Sequence, residues 1–143
     1  MKGYNVKVFS KSQGGDIQLT TNFKAKEFAC SDGADFFVIS PELVTILQKV
    51  RDWAKGAVYI NSGYRTEAHN SKVGGAKNSY HKYGMAADIT VNGKTPAQVC
   101  AFLESLMLSG GIGKYKTFTH VDVRPIRYRF DVTSGKEKAV NSF

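Results

Sequence analysis

Apolar residues recur at helical spacing after Ser40: Leu43, Val44, Ile46, Leu47, Val50, Trp53 and Ala54. Ser40-Pro41-Glu42 gives this run an N-cap, a proline at the first helical position and an acid in the first turn. Lys55-Gly56 closes it with a cation and a C-cap glycine. A second amphipathic helix opens at Thr95-Pro96, carries Val99, Phe102, Leu103, Leu106 and Met107, and stops at Ser109-Gly110-Gly111. Tyr4 to Phe9 alternates as a short strand before Gly14-Gly15. Ala57–Asn61 and Ala86–Val91 read as strands, the latter ended by an Asn92-Gly93 turn. Ile112–Tyr115 and Phe118–Val123 read as a hairpin pair. Helices and strands mix without regular βαβ alternation, which predicts the α+β class. One domain over residues 1–143 is expected, with no linker. Between Ser62 and Gly84 the chain turns to Gly, Ser, Asn, Tyr and charge, with a short helix expected after Thr66. Long ordered loops in small domains are usually functional.

Composition narrows the class. A chain of 143 residues with 42% hydrophobic and 22% charged residues can bury its own core and is not a disordered tail. The longest apolar stretch, Val99 to Leu108, is broken by Glu104 and is too short to span a bilayer. The net charge of +8 favours an anionic partner such as nucleic acid, acidic lipid or a cell-wall polymer, or simply keeps the surface soluble. The basic residues are dispersed, with mild clusters at Lys24/Lys26 and Arg124/Arg127/Arg129. Met1 to Val8 has no apolar run after its lysine, so no secretory leader is read there and synthesis in the cytoplasm is expected. Cys30 and Cys100 are not spaced for a thiolate zinc site; free thiols are the favoured reading over a disulfide.

The candidate chemistry lies in His81, Asp88 and His120. Asp88 interrupts the apolar run Ala86-Ala87-Asp88-Ile89, where an unpaired buried acid costs several kcal/mol, so it needs a cation, a metal or a strand end. In Phe118–Val123, alternation puts Thr119, Val121 and Val123 on one face and Phe118, His120 and Asp122 on the other. The first set suits the core and the second an active or solvated face. Two histidines and one aspartate give three N/O donors, the open ligand set of a catalytic zinc. Asp122 beside His120 is then placed to act as general base on metal-bound water. A salt bridge to a surface Lys or Arg is the plain alternative for Asp88.

Ser79-Tyr80-His81-Lys82-Tyr83-Gly84-Met85-Ala86-Ala87-Asp88 fits the pattern S-x-H-x-x-G-x-A-x-D. With His120, it resembles the zinc D-Ala-D-Ala carboxypeptidase-like peptidases. That superfamily also holds vancomycin-resistance dipeptidases, phage endolysin peptidases and the hedgehog signalling domain. Ser62-Gly63-Tyr64-Arg65-Thr66, His69-Asn70, Val73-Gly74-Gly75-Ala76 and His120-Val121-Asp122-Val123-Arg124 extend the resemblance over about residues 22–124. It implies a single domain with a small, mostly antiparallel sheet, helices packed on one side and a zinc cleft. It implies one Zn2+ per chain on His81, Asp88 and His120. It implies that Arg65 binds the substrate carboxylate or steadies the oxyanion, that Ser79 binds substrate, and that Gly84 gives a tight path between ligands. Several branches carry an acid three residues before the last histidine; Thr117 stands there and cannot serve, and the resemblance to branches ending H-x-D implies Asp122 as the base instead. His69 is assigned a structural hydrogen bond.

The reading is therefore a zinc peptidase that hydrolyses a bond in peptidoglycan stem peptides, of carboxypeptidase or endopeptidase type. A phage or prophage lysin, or a virion-associated enzyme, fits a chain without a leader. The stem peptide is the expected partner, with no nucleic acid, no membrane insertion and a monomeric state. The alternative is a zinc-containing wall- or protein-binding module without turnover; Arg65 and Asp122 speak against it, because a binder needs no base. A nucleic-acid-binding domain is the third option and lacks a recognition element.

Overall fold

The structure, a computed structural model, describes residues 4–143; Met1 to Gly3, the start of the segment read for a leader, lie outside the described residues. The chain runs β1 (Lys7–Ser10), a single turn α1 (Lys11–Gly14), β2 (Gln18–Thr20), β3 (Phe23–Lys24), a 3-10 turn (Ala25–Phe28), β4 (Phe36–Ile39) and α2 (Pro41–Ala54). It continues through β5 (Val58–Ser62), α3 (Glu67–Lys72), a second 3-10 turn (Tyr80–Tyr83), β6 (Ala86–Val91) and α4 (Pro96–Leu106). It closes with β7 (Gly111–Lys114), β8 (Thr119–Asp122), β9 (Tyr128–Asp131) and β10 (Lys138–Ala139). Among the described residues no helix is long and apolar enough to cross a membrane.

The two expected helices form with the expected starts. The Ser40 hydroxyl accepts from the Leu43 N–H at the head of α2. Thr95 and Gln98 form a reciprocal capping box at the head of α4. The α2 stop differs from the expectation: Lys55, not Gly56, takes the left-handed conformation, at φ 53°. Gly56 is instead required by space, because a Cβ there would meet the Asn92 carbonyl. The N-terminal strand is shorter than the alternation suggested, beginning at Lys7, and Gly14-Gly15 ends a helical turn.

Six strands make the main sheet in the order β10-β9-β7-β8-β6-β5. All neighbours are antiparallel except β7 and β9. Helices α2 and α4 pack on one face, joined by Trp53 stacked on Phe102 at 4.3 Å. The core under them is Ala87, Ile89 and Val91 of β6, Ile112 of β7, Val121 of β8, and Leu43, Leu47, Val50, Val99 and Leu103 of the helices. Thr119, Val121 and Val123 are buried as the alternation required. The other face of β6, β7 and β8 therefore points away from the helices. Cys30 and Cys100 are buried and unbonded, and burial pushes the Cys100 thiol up to about 11.

Nothing in the sequence pattern marked β9 and β10. Strand β9 is tied to its surroundings by Arg129, one of three arginines read as a loose surface cluster. It is 2% exposed. Its Nε donates to Glu104 of α4 at 3.0 Å, and its terminal nitrogens donate to the carbonyls of Gly110 and Met107. Arg127 reaches the same carboxylate at 2.7 Å.

Candidate metal centre and cleft

Strand pairing assembles the centre. Antiparallel β6 and β8 set Asp88 directly opposite His120. His81 arrives from the polar segment, on the 3-10 turn that leads into β6. Ser79 caps that turn, its hydroxyl accepting from the His81 N–H at 3.3 Å. Gly84 ends it at φ +70°, with the Val38 backbone where a Cβ would be, so glycine is required on both counts.

His81 Nδ1 lies 2.8 Å from the Gly63 carbonyl. A carbonyl only accepts, so Nδ1 carries the proton and Nε2 keeps its lone pair, 3.4 Å from Asp88 Oδ1. Burial pushes the His81 imidazole down, which holds it in the neutral, ligating form. His120 presents Nδ1 to the same Asp88 oxygen at 2.9 Å. One donor atom from each of His81, Asp88 and His120 lies within 4.8 Å of the others. All three residues are buried.

The donor set fits a metal. Burial disfavours a charged His120, but hydrogen bonds to Asp122 and Asp88 outweigh it and raise the imidazole to about 9. Two carboxylates thus draw positive charge to this point, and a cation at Nδ1 satisfies the same demand as a proton. Two imidazoles, one carboxylate and an open side match a zinc site that keeps a position for a reactant.

Asp122, the residue expected to act as base, contacts His120 directly. It lies on the far edge of the His120 ring, with Oδ2 2.7 Å from Nε2. It is fully buried. Its oxygens accept from the Gly111 N–H, the Arg124 N–H and the Arg124 guanidinium, the last at 2.7 and 2.6 Å. Those donors hold its carboxyl well below the usual range against the cost of burial. Strand alternation put Asp122 beside His120, where it is found, but did not tell which ring edge it would face. A carboxylate on the outer nitrogen of a ligating histidine fixes the ring and its tautomer.

Arg65 is also placed by this network. Its Nε donates to Ser62 at 3.0 Å, one terminal nitrogen to Asn70 at 3.3 Å and the other to Asp88 Oδ2 at 3.2 Å. Buried Asn70 in turn donates to the Ala76 carbonyl and ties down the polar loop. His69 bonds Ser31, away from the centre.

The centre opens into a cleft of about 630 Å³. Arg65, Ser79, His81, Asp88 and His120 all line it. Its walls also include the polar loop from Gly74 to Tyr80, Arg124 from the segment that carries the resemblance, and four residues not singled out as site candidates: Tyr115, Tyr128, Phe130 and Glu137. Arg124 is held between the rings of Tyr80 and Tyr128, at 4.7 and 5.1 Å. Phe130 packs 5.5 Å from His120, over Gly113, where a Cβ would collide with the ring.

The sequence profile of the peptidase M15 family matches residues 18–122, which includes all three metal-binding residues. The chain belongs to the peptidase M15 family. Its metal centre is accordingly a single zinc site per chain, built from His81, Asp88 and His120. The chain is also 42% identical over 77 residues to a protein of Haemophilus influenzae named as probable peptidoglycan L,D-endopeptidase MepK. That match covers 49% of this M15 chain and 41% of the relative. The β9–β10 hairpin, with Phe130 and Glu137, lies beyond the profile match.

Proposed function

We propose that this chain is a zinc peptidase that cleaves a peptide bond in the stem peptides or cross-links of bacterial peptidoglycan. The observation that carries the reading is the His81/Asp88/His120 cluster lining an open cleft of about 630 Å³. Membership of the M15 family and the likeness to a peptidoglycan endopeptidase support it. Zinc at such a centre polarises a substrate carbonyl and lowers the pKa of an attacking water.

The chain's own residues prepare that chemistry. His81 is fixed by Gly63 with Nε2 directed inward, and His120 is fixed by Asp122 with Nδ1 directed inward. Asp122 is thus a positioning residue, with Arg124 holding it. Arg65 orients Asp88. Three of its five N–H donors are engaged in the protein, leaving others for a substrate carboxylate or a developing oxyanion. Ser79 holds the turn that carries His81, and its place on the cleft rim suits substrate contact. Within this reading an endopeptidase is favoured over a carboxypeptidase, because the Arg65 guanidinium is shared among three protein partners and is not a dedicated clamp for a chain end. A phage-lysin role fits the same chemistry.

The test is digestion of purified peptidoglycan by the zinc-loaded protein, with mass spectrometry of the released fragments. Cleavage within cross-linked or stem peptides is expected. Release of single terminal D-alanine alone would make the chain a carboxypeptidase, and intact peptidoglycan would refute the reading.

A further inference from the structure

Tyr115 follows the glycine-bearing strand β7, two residues beyond Gly113. Gly111 and Gly113 leave room for the Asp122 carboxylate and the Phe130 ring. Tyr115 brings the first large side chain after them into the cleft. Its ring stacks on Phe118 at 4.2 Å and 15°, and meets Phe130 edge-on at 6.2 Å. Phe130 in turn packs on His120. The ring is therefore held by aromatic contacts that a phenylalanine would make equally well.

The hydroxyl is what packing does not explain. Among the described residues no hydrogen bond reaches it, whereas the Tyr128 hydroxyl donates to Glu137 at 2.7 Å. Burial, and then the negative charges of Asp88 and Glu137, push the Tyr115 phenol up, while Arg65 pulls the other way. The hydroxyl thus stays protonated, a donor, on a residue that lines the same cleft as Arg65 and Asp88.

We propose that Tyr115 is a catalytic residue whose phenol O–H donates a hydrogen bond to the scissile carbonyl oxygen as that oxygen gains charge. This rests on the peptidase reading above. When water adds to the carbonyl carbon, the new C–O bond forms as the carbonyl π pair moves onto oxygen. Tyr115 donates to that oxygen without giving up its proton. A fixed donor at such a position acts mainly on the transition state, because the ring is already held and need not reorganise.

The experiment compares zinc-loaded wild type with Tyr115→Phe in three measurements. The first is hydrolysis of a purified stem-peptide substrate. The second is affinity for a phosphinate analogue of the bond to be cleaved in that stem peptide, a tetrahedral anionic mimic. The third is zinc content with the melting temperature. The expected result is a fall in kcat of about 10²-fold with KM little changed. Phosphinate affinity is expected to weaken at least about tenfold, with zinc content and melting temperature unaltered. Wild-type kcat and phosphinate affinity in Tyr115→Phe would overturn the proposal, and so would a rate loss matched by lost zinc or a lower melting temperature. If wild type cuts no stem peptide while phosphinate affinity still falls in the variant, the substrate reading fails and the role of Tyr115 stands.

Discussion

At the residue scale, the centre depends on which edge of each imidazole faces inward. His81 is turned by the Gly63 carbonyl and His120 by the Asp122 carboxylate, so the two rings offer different nitrogens, Nε2 and Nδ1. This predicts the behaviour of Asp122→Asn. An amide in place of the carboxylate no longer stabilises Nε2–H and leaves the Arg124 guanidinium short of its anionic partner. Zinc affinity should fall about 10–100-fold, the usual cost of losing such a partner, and a competition titration with a chelator dye measures it. Were Asp122 the general base, zinc affinity would be untouched and only the rate would drop. Asp88 and His120 were legible as candidates because an acid in an apolar strand and a histidine on the face opposite the core both demand an explanation, whereas His81 and the union of the three into one site came from the family resemblance of Ser79–Asp88 with His120. The orientation of Asp122 was not legible, since residue order along β8 does not say which ring nitrogen a neighbour meets.

At the element scale, the sheet face away from the helices is kept clear for the site by small residues. Gly111 and Gly113 on β7 lie opposite Asp122 and His120 on β8. A Cβ on either would strike the Asp122 carboxylate or the Phe130 ring. Gly113→Ala is therefore expected to push Phe130 off His120. Overpacking of this kind costs about 1–3 kcal/mol, read as a lower urea midpoint, with zinc still bound through His81, Asp88 and His120. A variant as stable as wild type would show that β9 shifts freely. The helices were legible from Ser40-Pro41 and Thr95-Pro96, whose capping chemistry is local. So were β6 and the β7–β8 pair, which alternate over a buried face. Strand β9 was not, because Tyr128-Arg129-Phe130-Asp131 has charge at the position that is most buried. Only the tertiary partner Glu104 explains it.

At the scale of the whole molecule, the C-terminal hairpin is tied to the helical layer by one carboxylate. Glu104 accepts from Arg127, Arg129 and the Phe143 N–H. Burial disfavours its charge, but the two arginines outweigh this and bring the carboxyl down to about 2. A carboxylate depressed in the folded state adds stability that is fully present above its unfolded pKa. That stability is lost as pH falls through the folded value, so it should decline from about pH 4.5 towards 2. Glu104→Gln leaves Arg129 buried without a counter-charge and should destabilise by about 3 kcal/mol at pH 7. The variant should also flatten that part of the acid limb in a pH series of urea melts. An unchanged acid limb would mean that Glu104 titrates normally. The hairpin that this pair anchors also walls the cleft, so the fold and the site share it. If one zinc on His81, Asp88 and His120 makes this cleft a peptidase, turnover must follow the ion. The most direct test follows fragment release from peptidoglycan as wild type is stripped by a chelator and then given one equivalent of zinc, with His120→Ala alongside. Turnover is expected to vanish on stripping, to return at about one zinc per chain, and not to return in the variant; full turnover by the stripped protein or by His120→Ala would rule out a zinc peptidase on these three ligands.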